Sequence, residues 1–380
     1  MAIRDQFGIT RVAEVTGLDD LGMPVHSIFR PRSTSMASVH SGKGLTVIDS
    51  LASGLAEAIE TDCGERFLPA DRVEGCFRTL QSEGYPVVRF TEGVPGGGGV
   101  PEDVPLEWVW VDDLLADEGE RRRLIPLEFV AQGKRRETWR LFDVRISNGL
   151  ASGNVLEEAL CHAIHEVVER DALGIFTFRA KYLDEDVRPS YRRVDLRTLP
   201  NACRALVEKV RASGRGLCLV DATTDLDIPV IFCAMTSDHG PCVGFGAHLD
   251  AEVAVLRAFT EAVQTSALNI QGSREDLGER EPRIYDHSQA FASRRGRQVA
   301  HDRTFPETRF SDIHSRSHEY VDQDLDDLLD CLRLRGVDRV YACEISDPSC
   351  RGFSVARVVI PALEDFRLDN VGRRRVRYGV

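Results

Sequence analysis

Three predicted helices share one arrangement of polar side chains, and no other feature of the sequence constrains the fold as strongly. Residues four and then three positions apart lie on one face of an α-helix. The stripes with this spacing are Ser53, Glu57 and Glu60 in a helix predicted over about 49–61, His162, Glu166 and Glu169 in one over 154–179, and Arg257, Glu261 and Gln264 in one over 252–270. Apolar residues occupy the opposite face of each helix, so each helix is expected to pack on a hydrophobic core.

The second of these helices carries the densest set of ionisable side chains. Asn154 is predicted to be its N-cap, and Glu157, three residues later, completes the pattern of a capping box. The ionisable side consists of Glu158, His162, His165, Glu166 and Glu169, and the apolar side of Leu156, Leu160, Ala163, Ile164 and Val167.

These stripes allow two interpretations. They are either solvated helix faces, which every amphipathic helix has, or groups that converge on one pocket. Two like charges 4 Å apart repel by about 4 kcal/mol at an effective dielectric constant near 20, so converging carboxylates would need cations. Oxygen ligands favour Mg²⁺ or Ca²⁺, and Lys43, Arg170 and Arg257 would supply positive charge for phosphates. A pocket of this composition would bind a metal–nucleotide.

Between the helices, short apolar segments predict strands at about 9–15, 23–29, 217–220, 229–235, 340–344 and 355–360, and a further helix is predicted at 324–334. We expect 41–44 to be a tight polar loop and 62–146 and 280–318 to be irregular. The four glycines at 96–99 indicate a surface loop, because no Lys-Ser/Thr pair follows them. No segment resembles a linker, so the sequence predicts one domain over 1–380 with a mixed α/β (α+β) fold, built from mixed and antiparallel sheets.

Charge and cysteine content disfavour several classes of protein. Lys and Arg number 48 against 61 Asp and Glu, and the net charge of −13 disfavours nucleic-acid and anionic-membrane partners. No run of about 18 apolar residues and no secretory signal is present, so a cytoplasmic protein is expected. None of the ten cysteines forms a C-x-x-C pair, which disfavours structural zinc, and we expect most of them to be buried.

One specific motif runs from Ser147-Asn148-Gly149-Leu150-Ala151-Ser152-Gly153-Asn154 through Glu158 to Glu166-Val167-Val168-Glu169-Arg170. It resembles the central motif of the YcaO family, and two further motifs resemble the same family. A first motif, Ser41-Gly42-Lys43-Gly44 followed by Ser53, Glu57 and Glu60, precedes it, and a third runs from Gly244 through Arg257 and Glu261 to Gln264. The stretches 1–62, 141–180 and 217–277 thus carry the nucleotide motifs, and Asp221–Val230 and Val355–Pro361 also match the family pattern.

This resemblance implies an ATP- and Mg²⁺-dependent enzyme that phosphorylates a backbone amide oxygen in a ribosomally made peptide, giving an azoline or a thioamide. It implies a YcaO-like fold with three functional helices around a central nucleotide pocket. The carboxylates matching the family's Mg²⁺ ligands are Glu57, Glu60, Glu158, Glu166 and Glu169. The residues matching ATP-binding positions are Lys43, Ser53, Asn154, Glu158, Arg170, Arg257, Glu261 and Gln264. The resemblance assigns no general base or other catalytic residue.

The sequence departs from the family pattern at three places, and none of them changes a carboxylate that matches a Mg²⁺ ligand. Thr61 stands where a basic residue is common, and Thr265-Ser266 replaces a common Ser-Arg. The C-terminal Arg373–Val380 stretch lacks alternating prolines, and its arginines are expected at the surface rather than at a peptide dock. The segment 8–25 resembles stand-alone members that work with a TfuA-type partner, which slightly favours thioamide formation.

The resemblance implies a precursor-peptide substrate, a TfuA-like or peptide-recognition partner protein, and a homodimer. A non-catalytic YcaO-like protein that binds a peptide or partner is the main alternative. A metal-dependent hydrolase using His162 or His165 is a third, although H-E-x-x-H spacing is absent and both histidines are expected at a pocket edge or the surface.

Overall fold

The computed structural model describes residues 2–34, 37–89, 101–132, 147–181, 190–236, 242–272, 305–348 and 352–363. The helices are α1 Ala2–Gln6, α2 Val47–Arg66, α3 Phe77–Ser82, α4 Leu156–Lys181, α5 Asn201–Ala212, α6 Ala251–Gln271 and α7 Val321–Leu334. The strands are β1 Arg11–Glu14, β2 Val25–Phe29, β3 Val39–Lys43, β4 Val73–Gly75, β5 Leu106–Asp113, β6 Arg122–Pro126, β7 Leu150–Gly153, β8 Arg192–Val194, β9 Leu217–Asp221, β10 Val230–Met235, β11 Cys242–Ala247, β12 Glu307–Thr308, β13 Tyr341–Glu344 and β14 Ser354–Val359. The predicted mixed α/β fold with antiparallel sheets is confirmed.

The chain forms two compact units that alternate along the sequence. The first unit comprises Met1–Ala58 and Phe176–Ser317, and the second comprises Ile59–Ile175 and His318–Val380. Helices α2 and α4 each continue from one unit into the other. The prediction of one catalytic domain over 1–380 stays a prediction.

The first unit contains two sheets and the helix α6. Strands β1, β2 and β3 form an antiparallel sheet, and a second sheet has the order β11-β10-β9-β8-β12, in which only the β8–β12 pair is parallel. One face of the second sheet is apolar and packs with α5 and α6 around buried Leu219, Ile231 and Phe259. Helix α6 is therefore held by its apolar face, and its polar stripe is kept out of this core.

Two glycines set the distance between β11 and α6. A Cβ added to Gly244 would lie 2.2 Å from the carbonyl oxygen of Ala258, and one added to Gly246 would lie 2.2 Å from that of Ala254. Both distances are far below van der Waals contact, so only glycine lets this strand lie against the helix backbone. The close packing of β11 on α6 fixes where along the strand the side chains of Arg257 and Glu261 leave the helix.

The second unit is built around one six-stranded sheet. Its order is β4-β5-β13-β14-β7, with β6 paired to β5, and all of these pairs are antiparallel. Trp108 is fully buried and donates its indole N–H to the Gly75 carbonyl oxygen at 2.8 Å. Strand β7 leads directly into α4, so the central sequence motif forms a strand–loop–helix unit.

The structure corrects several local predictions. Ser41–Lys43 is the end of β3 rather than a loop, and α2 extends to Arg66, five residues beyond the predicted end. The stretch 62–146, predicted to be irregular, contains β4, α3, β5 and β6, and the described part of 280–318 contains β12. The glycines at 96–99 and the arginines at 373–377 lie outside the described residues.

The other predicted helices and strands are present with end shifts of a few residues. Among the described residues, no helix is long and apolar enough to cross a membrane.

Candidate functional site

The first unit brings two of the predicted nucleotide residues into direct contact. Lys43, the last residue of β3, donates from Nζ to Glu261 Oε2 on α6 at 2.7 Å. Both side chains are about one-quarter exposed, so the ion pair is partly shielded from water. One turn further along α6, Gln264 Nε2 donates to the Ser41 carbonyl oxygen at 2.6 Å. The polar stripe of α6 therefore faces the edge of β3 that carries the first motif.

The start of α6 is fixed by side-chain caps. Asp250 is the N-cap, and its carboxylate accepts from the Glu252 amide at 2.8 Å, as expected for an acidic side chain at a helix start. The Ala251 amide donates to Ser315 Oγ at 2.9 Å. Two free N–H groups of the helix are thereby satisfied, and the helix begins at a defined residue.

Glu57 projects from α2 beside a buried histidine. Nδ1 of His40 on β3 lies 3.7 Å from Glu57 Oε1, and His40 is 2% exposed. Glu57 itself is about half exposed. Ser53, one turn earlier on α2, and Arg257 on α6 are both half-buried, which agrees with their predicted places on the polar stripes.

In the second unit, the loop between β7 and α4 donates hydrogen bonds to Glu158 of α4. The helix begins at Leu156, two residues after the predicted N-cap Asn154. Asn154 donates to Glu158 Oε2 from its backbone N–H at 2.8 Å and from Nδ2 at 2.9 Å. The capping prediction is thus wrong in detail, because the helix begins two residues after Asn154 and the carboxylate that accepts from Asn154 is that of Glu158 rather than Glu157.

Glu60 accepts a hydrogen bond from a residue outside the predicted site set. Ser152, on β7, donates from Oγ to Glu60 Oε1 at 2.5 Å. Ser152 is 9% exposed and Glu60 is half-buried. A hydrogen bond of this length to a carboxylate is at the short end of the charge-assisted range. The serine lies in the central motif, but its contact with Glu60 could not be predicted, because the two residues are 92 positions apart in the chain.

The remaining predicted residues on α4 share one helix face. Arg170 Nε lies 4.0 Å from Glu166 Oε1, an i, i+4 pair, and Glu169 is half-buried beside them. His162 is half-buried, with Nδ1 3.5 Å from the Ser152 carbonyl oxygen. His165 is 2% exposed, so the prediction that it lies at a pocket edge or the surface is wrong. Cys161, Val168 and Ala172, which flank position 165 on the helix surface, are buried as well, so the buried face of α4 is wider than the apolar side of the sequence pattern.

The cysteines follow the prediction of burial. Of the nine that the structure describes, seven are buried and all are reduced. On α4, burial, together with nearby carboxylates, raises the pKa of the Cys161 thiol to about 12. The same cause raises the pKa of Cys203 to about 12. Thiols of this kind stay protonated at neutral pH and are poor nucleophiles.

The donor set fits Mg²⁺ bound together with phosphates better than a closed protein cage. Within the described residues, no three His, Cys, Asp or Glu side chains lie close enough to hold a metal ion by themselves. Mg²⁺ commonly takes one or two carboxylates, substrate phosphates and water. Glu60 and Glu158 are each oriented by a hydrogen bond to one oxygen, as ligands of such a shared site would be. Among the described residues, no group of three such side chains supports the alternative of a histidine-based metal-dependent hydrolase.

Comparisons with known proteins point to the cofactors ATP and Mg²⁺. A family model described as YcaO cyclodehydratase, ATP- and Mg²⁺-binding, matches residues 41–364. A protein of Methanothermobacter thermautotrophicus is 33% identical, covering 97% of this chain and 93% of its own length. A protein encoded in the tfuA 3′ region of Rhizobium leguminosarum bv. trifolii is 30% identical, covering 95% of this chain and 85% of its own length.

Two solved structures share the fold at low sequence identity. The YcaO protein of Methanopyrus kandleri, bound with AMPPCP and Mg²⁺, has a TM-score of 0.71 and 19% identity, covering 97% of this chain and 89% of that one. A heterocyclase in complex with substrate and cofactor has a TM-score of 0.74 and 20% identity, covering 100% of this chain. The present chain spans 54% of that heterocyclase.

Proposed function

The chain belongs to the YcaO family, whose members bind ATP and Mg²⁺, and we propose that it activates a backbone amide of a ribosomally synthesised peptide by ATP-dependent O-phosphorylation. The observation that carries this proposal is the family match over residues 41–364, which contains every predicted nucleotide and Mg²⁺ residue. The hydrogen bonds that orient Glu60 and Glu158 support it, because carboxylates held in place are what a metal–phosphate site requires.

The residues divide by chemical role. Glu57, Glu60, Glu158, Glu166 and Glu169 would hold Mg²⁺. The nucleotide would contact Lys43, Ser53, Asn154, Glu158, Arg170, Arg257, Glu261 and Gln264, so Glu158 has both roles. Bound Mg²⁺ would neutralise charge on the phosphates and so favour phosphoryl transfer. Lys43 and Arg170 are each kept beside a carboxylate, at 2.7 Å and 4.0 Å, so their cationic ends are already oriented before a phosphate arrives.

The reaction follows from the chemistry of amides. A nucleophile adds to the amide carbon, the carbonyl oxygen takes the terminal phosphoryl group of ATP, and the oxygen then leaves as phosphate. If the nucleophile is a Cys, Ser or Thr side chain of the substrate, the product is an azoline. If it is an external sulfide equivalent, the product is a thioamide.

We favour the thioamide, with a TfuA-like protein as partner. The support is the relative encoded in a tfuA 3′ region, which aligns with 95% of this chain, together with the resemblance of segment 8–25 to stand-alone, TfuA-partnered members. The azoline is the competing product, because a heterocyclase shares the fold. A homodimer is part of the same proposal.

The test is to incubate the purified protein with ATP, Mg²⁺, the precursor peptide and its TfuA-like partner, with and without sulfide. Peptide-dependent phosphate release with exchange of one oxygen for sulfur supports thioamide formation, whereas loss of one water supports azoline formation. ATP binding without peptide-dependent release would favour the non-catalytic alternative. Failure to bind ATP with the partner present would refute the proposed function.

Variants on α4 make the test specific. Glu166→Gln removes a carboxylate of the proposed Mg²⁺ set and should reduce phosphate release at least a hundredfold, because charge neutralisation supplies most of this catalysis. Glu157→Gln is the matched control, because Glu157 is an exposed glutamate of the same helix outside the stripe. Unchanged turnover in the Glu166 variant would contradict its assignment.

A further inference from the structure

We infer that Ser152 is a positioning residue that fixes the carboxylate of Glu60 for Mg²⁺–nucleotide binding. This inference rests on the proposed function and adds a residue that is outside the predicted set. Ser152 Oγ donates to Glu60 Oε1 at 2.5 Å. A strong hydrogen bond to one oxygen of a carboxylate restricts rotation about the last bond of the side chain.

The backbone that carries Ser152 is itself rigid. Ser152 lies on β7 opposite Val355 of β14 in an antiparallel pair. The next residue, Gly153, packs so closely on α4 that an added Cβ would lie 2.6 Å from the Ala159 amide nitrogen. Strand pairing on one side and close helix packing on the other restrict the position of the Ser152 backbone, from which Oγ reaches Glu60.

One short segment therefore orients carboxylates on two helices. Ser152 binds Glu60 of α2, and Asn154, two residues later, binds Glu158 of α4. Hydrogen-bond partners of metal ligands typically contribute 10–100-fold to metal affinity or activity. The serine hydroxyl is thus expected to act on Mg²⁺ affinity rather than only on stability.

The experiment compares two substitutions of the same shape, Ser152→Thr and Ser152→Val. Threonine keeps the hydroxyl and valine replaces it with a methyl group, so any strain from the extra carbon is common to both. Mg²⁺ is titrated into each full-length protein at a fixed concentration of a non-hydrolysable ATP analogue, with binding followed by calorimetry and folding checked by circular dichroism. If valine is not accommodated, Ser152→Ala, which is smaller than serine, replaces it in the comparison.

We expect the threonine variant to bind like the natural protein and the valine variant to need about 10–100-fold more Mg²⁺ for half-saturation. Combined with Glu60→Gln, the valine substitution should add less than about twofold, because it acts through the carboxylate that is already removed. Equal Mg²⁺ dependence of the two Ser152 variants, or an undiminished effect in the Glu60→Gln background, would overturn the inference alone. No nucleotide binding by the natural protein would instead overturn the proposed function.

Discussion

The Lys43–Glu261 ion pair allows a quantitative test of how the first unit is assembled. At the observed 2.7 Å, Coulomb's law gives about 1.5 kcal/mol at the dielectric constant of water and about 6 kcal/mol at an effective value near 20. Desolvation and loss of side-chain freedom offset most of the larger figure, and measured pairs range from below about 1 kcal/mol when exposed to about 3–5 kcal/mol when a buried pair is broken. With both side chains about one-quarter exposed, we expect a coupling free energy of about 1–2 kcal/mol.

A double-mutant cycle measures this coupling. Lys43→Met, Glu261→Gln and the double variant are unfolded in urea, and the coupling is the part of the free energy of unfolding that is not additive. Because the screening length falls from about 10 Å at 0.1 M salt to about 3 Å at 1 M, the coupling should fall by about half between these conditions. A coupling below about 0.3 kcal/mol at low salt, within the usual error of additivity, would show that the pair does not link β3 to α6.

Two further predictions concern packing and thiol reactivity. Gly244→Ala should lower the free energy of unfolding by at least about 1–3 kcal/mol, because its Cβ would lie 2.2 Å from the Ala258 carbonyl oxygen, whereas Gly119→Ala, with nothing within 4 Å, should change little; equal thermal stability of the two variants would contradict the packing argument. Cys76 should be alkylated first among the described cysteines in the folded protein, because a hydrogen bond with the Thr79 side chain lowers the pKa of its thiol and burial raises the pKa of several others. Its rate should rise with pH and level off earlier than that of a model thiol, and peptide mass mapping after iodoacetamide treatment that finds a buried cysteine modified first would refute this ordering.

Local periodicity was sufficient to locate the three long helices. Their polar stripes depend only on 3.6 residues per turn, so Glu57, Glu261 and Gln264 could be placed on helix faces from the sequence. The central motif was equally visible, because a resemblance of this kind is carried by consecutive residues. The assignment of these residues to ATP and Mg²⁺ nevertheless remains a prediction.

Features that depend on distant neighbours were missed. Gly42 and Lys43 look like turn residues, yet they belong to β3, where Gly42 is required because a Cβ would lie 1.9 Å from the Ser50 carbonyl oxygen. Ser152 belongs to the central motif, but its contact could not be predicted, since its partner is a glutamate on another helix. Helix α5 was also missed, although buried Leu206, Val207 and Val210 give it an apolar face.

The alternation of the two units along the chain has a consequence for synthesis on the ribosome. Lys43 and its partner Glu261 are 218 residues apart, and at about 5–20 residues per second the ribosome needs about 10–40 s to add the intervening chain. Strands β1, β2 and β3 emerge early, but α6, on which β3 packs, is made only after the whole Ile59–Ile175 segment of the second unit. The first unit therefore cannot finish folding until α6 has been made. Until then, Lys43 on β3 lacks the Glu261 carboxylate with which it pairs.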